Sequence, residues 1–258
     1  MQIRDSVVVV TGAGSGIGAA LARRFAKEGA AAVVVSDRDA AAADAVAREM
    51  DGVADRSDVT SEPAVAALVA RTEERFGRID LFCSNAGIAT GQGIEGSDDA
   101  WRNAFDVHVM AHVYAARAVL PGMLDRGRGY LLNTASAAGL LTSPGDAPYT
   151  VTKHAAVAFA EWLAVQYHDR GIGVSVLCPL GVATPLLMQP LSSGSAAARA
   201  VAASGEIITP EQVADTVVAG LAAERFLILP HPQVGTFWAQ KAGDPDRWLA
   251  GVRRLLTR

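Results

Sequence analysis

The chain of 258 residues is long enough for one large α/β domain with a sizeable core, and it is short for two full domains. Half of the residues are hydrophobic and 19% are charged, which excludes disordered, collagen-like and coiled-coil proteins. The formal net charge is -4 and no dense Lys/Arg cluster is present, so nothing offers a positive field to a phosphate backbone. We therefore expect no nucleic-acid partner.

The two cysteines and the apolar runs bear on the compartment. Cys83 and Cys178 lie in apolar stretches without a CxxC or histidine ligand pattern, so neither a disulfide framework nor a metal site is indicated. No run approaches ~18 uninterrupted apolar residues, and the first residues lack the charged and apolar regions of a secretory signal. These features predict a cytoplasmic protein without a membrane partner.

Short apolar, β-branched segments alternate with longer Ala-rich amphipathic segments along the chain. Strands are predicted at residues 6–10, 32–36, 53–58, 79–83, 130–134, 174–178 and 226–229, of which 53–58 has the weakest pattern. Helices are predicted at residues 17–28, 40–50, 62–76, 98–120, 149–170 and 210–223. Strands that are apolar on both faces and separated by helices pair in parallel. The pattern predicts a single doubly wound, Rossmann-like α/β domain over residues 1–258, with about seven parallel strands and helices on both faces of the sheet.

One stretch departs from this alternation. Residues 191–205 are rich in Ser, Ala and Gly and are too long for a tight connection, which indicates either a mobile lid or a short helix between flexible loops. Leu186, Leu187 and Met188, just before this stretch, and Leu191 at its start offer apolar surface. We expect a substrate lid over residues 186–205, called the lid segment below, and we expect its residues 191–205 to be disordered or mobile without substrate.

A glycine-rich turn directly follows the first predicted strand and opens the first helix. Its sequence is Thr11-Gly12-Ala13-Gly14-Ser15-Gly16-Ile17-Gly18. Glycines let the backbone approach a pyrophosphate, whose charge is stabilised by free N–H groups and by the helix N-terminus. The place of this turn in the first βα unit predicts dinucleotide binding, with a plain tight loop as the alternative.

The end of the second predicted strand bears on the choice of cofactor. Asp37 follows this strand, where an acidic group can accept hydrogen bonds from the adenosine ribose and would repel a 2′-phosphate. Ser15 leaves the glycine-rich turn without a basic residue that would attract that phosphate. The sequence therefore favours NAD over NADP. Arg38 is the residue that could reverse this preference, and a solvated loop acid is the alternative for Asp37.

Three polar residues form a candidate catalytic group. Tyr149 and Lys153 are four positions apart in a predicted helix, so their side chains project from one face of it. An ammonium group within a few Å favours the phenolate form of a tyrosine, which makes the pair a usable general base. Ser136 follows the predicted strand 130–134, at a carboxyl end where doubly wound sheets bind their ligands.

These residues together resemble the short-chain dehydrogenase/reductase family in its compact form, over essentially the whole chain. The glycine-rich turn resembles the family's TGxxxGxG, Asp58-Val59 its adenine-contacting pair, Asn85-Ala86-Gly87 its NAG motif, and Ser136 with Tyr149 and Lys153 its catalytic Ser and YxxxK. The resemblance implies cofactor contacts from Gly12, Ser15, Gly16, Ile17, Gly18, Asp37, Asp58, Val59, Asn85, Ala86, Gly87, Tyr149, Lys153, Pro179, Val182 and Thr184.

The resemblance also implies an activity, that of an NAD-dependent alcohol dehydrogenase or ketone reductase. Ser136 would hydrogen-bond the substrate oxygen, Tyr149 would exchange its proton, and Lys153 would hold the nicotinamide ribose, while hydride passes between NAD and a secondary alcohol or ketone. The apolar residues of the lid segment favour a bulky, lipophilic small-molecule substrate. Members of the family are commonly homotetramers, and a homodimer is the alternative assembly.

Two positions depart from the family pattern. The Asn of the family's catalytic tetrad falls on His108, whose ring could hold the relay water in its place, or could be a packed core histidine, or could abolish activity. Leu180 replaces a glycine of the family's PGxVxT and could alter the wall of the substrate pocket. Two other functions stay open: a catalytically weakened NAD-binding sensor or scaffold, and a lyase or epimerase on the same fold.

Overall fold

The computed structural model describes residues 1–256, so the last two residues of the predicted domain lie outside the described residues. Seven parallel strands form one sheet in the order β3-β2-β1-β4-β5-β6-β7. They are β1 (Val7–Thr11), β2 (Ala32–Asp37), β3 (Val53–Arg56), β4 (Leu81–Ser84), β5 (Gly129–Thr134), β6 (Ile172–Leu177) and β7 (Leu227–Ile228). The doubly wound fold predicted from the alternation of apolar segments is confirmed.

Helices cover both faces of this sheet. They are α1 (Gly16–Lys27), α2 (Ala40–Arg48), α3 (Glu62–Phe76), α4 (Asp98–Phe105), α5 (Ala111–Asp125), α6 (Ala147–Tyr167), α7 (Pro185–Ser192), α8 (Ala196–Ala203), α9 (Pro210–Ala222), α10 (Gln233–Gly243) and α11 (Pro245–Leu256). A π-helical turn, Asp106–Met110, joins α4 to α5, and 3₁₀ turns lie at Ala137–Gly139 and His168–Arg170.

The central strands are buried on both faces because successive side chains point to opposite sides of the sheet. In β1, Val8 and Val10 pack into one core cluster with α1 and α9, while Val9 packs into the other with α3, α5 and α6. All five residues of β1 are buried. This two-sided burial accounts for the continuous valine run in the sequence.

Several helix ends follow their local sequence signals. Gly77 ends α3 in the left-handed conformation at φ 80°, which a residue with a Cβ rarely adopts. Thr209 and Gln212 form a reciprocal capping box at the start of α9, with Pro210 in its first turn. These signals fix where the helices that cover the sheet begin and end.

Four helical features differ from the sequence expectations. The helix predicted at 98–120 is interrupted by the π-helical turn and then continues to Asp125. The helix predicted to begin at Tyr149 begins at Ala147. The lid segment contains two helices, α7 and α8, where the sequence predicted at most one short helix. The C-terminal helices α10 and α11 were not predicted. They follow the last strand and pack against each other, so they are not part of the alternation of strands and helices on which the predictions rest.

No helix within residues 1–256 is long and apolar enough to cross a membrane.

Candidate active site

The candidate site lies at the carboxyl edge of the sheet, where the strand order changes direction. β1 lies between β2 and β4, so the connection after β1 runs to one side of the sheet and later connections run to the other. Ligands of doubly wound proteins bind at this switch point. The glycine-rich turn after β1 and the segments after β4, β5 and β6 meet there.

The glycine-rich turn has the shape of an anion cradle. Gly12 has φ 62°, and a Cβ on this residue would lie 2.7 Å from the Cα of Ala86. A Cβ on Gly18 would lie 2.3 Å from the carbonyl oxygen of Gly12, so the turn admits no larger residue there. Ser15 occupies the cap position of α1 without a side-chain cap hydrogen bond, and the first-turn N–H groups of a helix have no partners within the helix. These residues fit a bound pyrophosphate.

Asp37 lies at the end of β2, beside the glycine-rich turn. Its carboxylate accepts hydrogen bonds from the N–H of Gly14 at 2.9 Å and from the N–H of Asp39 at 3.0 Å. The carboxylate therefore sits against the turn, at the place where the sequence expected an acidic group to receive the adenosine ribose.

Asp58 follows β3 and is exposed next to Val59. Its carboxylate accepts from the N–H of Thr60 at 2.9 Å and from the hydroxyl of Thr60 at 2.8 Å. These hydrogen bonds, followed by the charge of Arg38, lower the pKa of Asp58 below its ordinary value. The charge of Arg38, which follows β2, therefore reaches the carboxylate of Asp58, which follows β3.

The segment after β4 is tied directly to the glycine-rich turn. The Nδ2 atom of Asn85 donates to the carbonyl oxygens of Thr11 at 3.1 Å and Gly12 at 3.4 Å, and its Oδ1 atom accepts from the hydroxyl of Thr134 at 3.2 Å. Asn85 thus links the ends of β1, β4 and β5. A Cβ on Gly87 would lie 3.6 Å from Lys153 Nζ, so Gly87 leaves space in front of this ammonium.

Tyr149, Lys153 and Ser136 come together at this edge. The Nζ atom of Lys153 lies 5.6 Å from the centre of the Tyr149 ring and donates to the carbonyl oxygen of Thr134 at 3.1 Å. Ser136 Oγ accepts from the N–H of Ala138 at 3.1 Å, and it lies within hydrogen-bonding reach of the Tyr149 phenol. Two of the three ammonium donors of Lys153 face no other acceptor among residues 1–256.

Burial changes the proton affinity of both members of this pair. It raises the pKa of Tyr149 to about 12, against a smaller opposite effect of the hydrogen bond with Ser136. It lowers the pKa of Lys153 to about 8, because the ammonium lies in a low-dielectric interior. Without ligand, the site therefore holds a neutral phenol beside an ammonium that releases its proton easily.

The segment after β6 closes the site from the other side. The carbonyl oxygen of Pro179 accepts from the N–H of Ala137 at 2.8 Å and from the hydroxyl of Ser136 at 3.5 Å. Val182 is buried and bridges to Ile208. The Cγ2 atom of Thr184 lies 3.1 Å from the Cβ position of Gly16, so this segment touches the glycine-rich turn.

His108 lies in the π-helical turn and is fully buried between the loop after β4 and α6. Its Nε2 accepts from the N–H of Ile88 at 3.0 Å, so Nδ1 carries the proton and donates to Thr152 Oγ1 at 2.8 Å. Thr152 in turn donates to the carbonyl oxygen of Pro148 at 2.7 Å. Both ring nitrogens are engaged by protein groups, an arrangement that favours the hydrogen-bonded core histidine over a ring that holds a relay water.

The surroundings of His108 keep its ring neutral. Its pKa lies well below the ordinary value, first because of burial and then because of the charges of Lys153 and His112. The ring also meets the Tyr149 ring edge to face, with 5.4 Å between centroids. His108 therefore contacts the ring of Tyr149 and also bonds to the loop after β4 and to α6.

Asp146 is a site residue that the sequence reasoning missed. It is buried and caps α6, where its carboxylate accepts from the N–H of Tyr149 at 3.1 Å. The same carboxylate accepts from the N–H groups of Thr90 at 2.9 Å and Gly91 at 2.8 Å, and its charge raises the pKa of Tyr149. The available signal was an Asp followed by Pro148 in the first helical turn, a common pattern at helix N-termini.

Comparison with known proteins agrees with this geometry. A family profile described as short chain dehydrogenase matches residues 6–193. A 1-deoxy-11-beta-hydroxypentalenate dehydrogenase of Streptomyces exfoliatus is 37% identical over 88% of this chain and 84% of its own length. A 3beta-hydroxysteroid dehydrogenase of Mediterraneibacter gnavus is 36% identical over 70% of this chain and 68% of its own length.

A solved structure has the same fold. The crystal structure of a short chain dehydrogenase/reductase from Burkholderia phymatum in complex with NAD is 31% identical, with a TM-score of 0.86 over 95% of this chain and 96% of that chain. The chain described here belongs to the short-chain dehydrogenase family. It is an oxidoreductase that uses a nicotinamide cofactor on hydroxyl or keto substrates.

Proposed function

We propose that this protein oxidises a secondary alcohol with NAD, or reduces the corresponding ketone, with Tyr149 as the general acid and base. The observation that carries the proposal is the position of the Lys153 ammonium, 5.6 Å from the Tyr149 ring centre, at the sheet edge that also holds the glycine-rich turn. When bound, NAD supplies the hydride acceptor. Tyr149 receives the hydroxyl proton in oxidation and returns it in reduction.

The raised pKa of Tyr149 suits the two directions differently. At about 12, the phenol is protonated at neutral pH and is ready to donate a proton to a ketone. Oxidation needs the phenolate, and bringing this pKa to near neutrality corresponds to roughly 7 kcal/mol of differential stabilisation. The Lys153 ammonium supplies part of this, since a nearby positive charge favours the phenolate.

Ser136 and Lys153 have separate tasks. Ser136 is placed between the carbonyl of Pro179 and the Tyr149 phenol, so it can hydrogen-bond the substrate oxygen without accepting its proton. Lys153 keeps two donors for the hydroxyls of the nicotinamide ribose, since its third donor binds Thr134. Gly87 lies next to Lys153 Nζ and Thr184 lies against Gly16 of the glycine-rich turn, which supports their assignment as cofactor contacts. Pro179 and Val182 are assigned as cofactor contacts because they lie in the same segment as Thr184.

We assign the cofactor as NAD on the basis of Asp37. Its carboxylate is held against the turn by Gly14, so a ribose phosphate placed there would meet a fixed negative charge. Arg38, the next residue, is exposed and carries the opposing charge, which also acts on the carboxylate of Asp58. We therefore expect the repulsion between Asp37 and a ribose 2′-phosphate to exceed the attraction of that phosphate to Arg38.

We expect the protein to bind NAD at least roughly tenfold more tightly than NADP, about 1.4 kcal/mol. Asp37→Asn should narrow this gap because it removes the charge while keeping an acceptor for Gly14, and Asp37→Ala should narrow it with some loss of affinity for both cofactors. Fluorescence titration of both cofactors checks the result, with Asp44→Ala on α2 as a control for loss of one surface charge. Equal or better affinity of the unmodified protein for NADP would contradict the assignment.

The walls of the cleft indicate the class of substrate. Residues 86–96, 137–145 and 179–205 follow β4, β5 and β6 at the site, and Glu95 and Arg199 are the charged residues in these three segments. In the lid segment, the large apolar side chains of Leu186 and Met188 are 40% and 42% exposed, so they offer apolar surface to a ligand. We propose a neutral, lipophilic alicyclic alcohol or ketone, a class in keeping with the steroid named for one relative.

For His108 we propose a positioning role that replaces that of the family's amide. His108→Ala removes the bonds to Ile88 and Thr152 and should lower kcat by about 10- to 100-fold, because the loop after β4 and α6 lose their connection next to Tyr149. His108→Asn keeps a donor near the position of Nδ1 and should recover much of that loss. Steady-state rates normalised to bound NAD check both variants, and wild-type turnover by the Ala variant would contradict a role in catalysis.

Assembly and compartment complete the proposal. The exposed apolar side chains of α6 include Val151, Trp162 and Val165, which supports a homotetramer, or a homodimer, that packs through this helix. Cys83 and Cys178 are both free and buried, which supports a reducing, cytoplasmic environment.

A screen of secondary alcohols with NAD and with NADP, followed by the absorbance of the reduced nicotinamide, tests the function. We expect turnover with NAD and a preference for alicyclic, lipophilic alcohols over short polar diols. Cofactor binding without turnover of any alcohol or ketone would favour the sensor or scaffold. Conversion of a substrate without net change in the cofactor would favour the lyase or epimerase.

A further inference from the structure

His231 lies between Pro230 and Pro232 after β7 and is 2% exposed. Its Nδ1 accepts from the N–H of Leu180 at 3.1 Å. Its Nε2 lies 3.1 Å from the carbonyl oxygen of Gly181 and 3.2 Å from that of Glu206. Because carbonyl oxygens can only accept, Nε2 carries the proton, and the ring is fixed in one tautomer with both nitrogens bonded.

The three backbone partners of His231 lie at the two ends of the lid segment. Leu180 and Gly181 precede it, and Glu206 follows it. The same two stretches are paired further along, since the N–H of Ile208 donates to the carbonyl of Gly181 at 3.0 Å and the N–H of Ala183 donates to that of Ile208 at 2.8 Å. The imidazole thus joins the two ends of the lid segment. Residues 180–183, residues 206–208 and His231 are called the base of the lid segment below, and α7 and α8 lie between its two stretches.

Side-chain packing at this base involves the residue that departs from the family pattern. The Cδ2 atom of Leu180 lies 3.3 Å from the Cβ position of Gly205, and a Cβ there would also lie 2.7 Å from Gln233 Nε2. Leu180 therefore packs toward the base of the lid segment, where Gly205 makes room for it.

The base is in turn connected to the catalytic residues. Pro179 precedes Leu180, and its carbonyl oxygen binds the N–H of Ala137 and the hydroxyl of Ser136. Within α8, the Cβ atom of Ala197 lies 3.1 Å from the Cβ position of Gly145, next to the cap of α6, and Val201 lies 3.6 Å from the Cβ position of Gly181. A shift of residues 179–181 would therefore reach Ser136 through Pro179 and α8 through Val201.

We infer that His231 is a positioning residue that holds the two ends of the lid segment together and fixes residues 179–182 beside Ser136. A rigid ring with an acceptor on one nitrogen and a donor on the other can join an N–H group to two carbonyls, which an apolar residue of the same size cannot do. The role in joining the two ends of the lid segment is inferred only from the contacts of His231 with Leu180, Gly181 and Glu206. The consequence for nicotinamide and substrate binding rests on the proposed function.

Limited trypsin digestion tests the inference, since Arg199 is exposed on α8 and is the one basic residue of the lid segment. Cleavage requires local opening of the helix. We expect His231→Phe to speed cleavage after Arg199 by roughly tenfold or more. His231→Asn keeps an acceptor for Leu180 and His231→Gln keeps a donor for Gly181 and Glu206, so each should show an intermediate rate. Arg199→Gln in each background identifies the fragment.

A destabilised control separates this role from a general loss of stability. Val69→Ala leaves a cavity in the core under α3 and should lower the unfolding temperature, and Val69 is not among the residues bonded to His231 or to the base of the lid segment. It should leave the cleavage rate at Arg199 within about twofold of wild type. A folded Phe variant cleaved at the wild-type rate, or at the rate of the Val69→Ala control, would overturn the inference. Where the Phe variant does not fold, wild-type cleavage of the Gln variant overturns it.

Kinetics of the same variants extend the test to the site. We expect His231→Phe to raise KM for the substrate more than it lowers kcat, because a loosened lid segment weakens binding while Tyr149 and Lys153 stay in place, and we expect Gln to recover part of this. Wild-type KM in a variant with rapid cleavage would overturn the link to the site. If no alcohol is turned over at all, the proposed function fails while the digestion still decides the role of His231.

Discussion

Tyr149→Phe is expected to lower kcat by roughly 10²- to 10⁴-fold while NAD binds with nearly unchanged affinity. The substitution removes one hydroxyl, the group proposed to exchange the substrate proton, and leaves the ring in contact with His108. The loss of activity should appear in kcat rather than in KM, because proton exchange belongs to the chemical step. Ser136, the hydrogen-bond partner of the phenol, stays in place for the substrate oxygen. Steady-state rates and NAD titration on the same preparations measure the two quantities.

Tyr167→Phe is the matched control, since this tyrosine lies at the other end of the same helix and its ring packs against Trp162. It should keep wild-type turnover. Turnover of Tyr149→Phe within tenfold of wild type would show that another group exchanges the proton.

Lys153→Met should lower kcat/KM by roughly 100-fold or more and weaken NAD binding, because it removes both the positive charge beside Tyr149 and the donors for the ribose. The same variant should be at least as stable as wild type. Burial lowers the pKa of Lys153 from 10.5 to about 8, so the ammonium destabilises the fold by about 3 kcal/mol at neutral pH. Lys153→Met removes this destabilisation, and the lost hydrogen bond to Thr134 offsets about 1 kcal/mol of the resulting gain in the free energy of unfolding.

The sign of this effect depends on pH. Between pH 8 and 10.5 the unfolded chain holds the Lys153 proton while the folded protein has released it, so wild-type stability rises with pH across this window. The advantage of Lys153→Met should therefore shrink over the same range. Denaturant unfolding at several pH values measures it, with Lys27→Met at the exposed end of α1 as control. A Met variant that is active, or one that is less stable than wild type at neutral pH, would contradict this account of Lys153.

The fold and the position of the catalytic group could be predicted because local signals determine them. The valine run of β1 has to be buried on both faces, and the glycines that follow tolerate the close contacts with Ala86 and Thr184 that any Cβ would prevent. Tyr149 and Lys153 share a helix face at a spacing that the sequence gives directly. The predicted bounds of β4 and β6 differ from the observed ones by two residues at the start of each strand and by one residue at its end.

The rest depends on contacts between distant segments. Asp146 is recognisable as a helix cap, but its bonds to Thr90 and Gly91 join residues more than fifty positions apart. The contacts of His231 cannot be predicted from its neighbours in the sequence, because its partners Leu180 and Glu206 lie 51 and 25 positions upstream in the chain. The π-helical turn at His108 likewise reflects bonds to Ile88 and Thr152 rather than a breaking residue in the helix itself.

The pH dependence of kcat/KM for alcohol oxidation with NAD, compared between wild type and Tyr149→Phe, tests the central claim most directly. Oxidation by wild type should rise about tenfold per pH unit on the acid side, because the phenolate of Tyr149 must form before it can accept the proton. It should fall again at high pH, because Lys153, whose pKa burial lowers to about 8, loses the ammonium charge that favours the phenolate. His108 stays neutral over this range, since burial holds its pKa well below the ordinary value, so it does not contribute to either change. We expect the residual rate of Tyr149→Phe to lack the rise on the acid side. The same rise in the Phe variant would show that a group other than Tyr149 is the base.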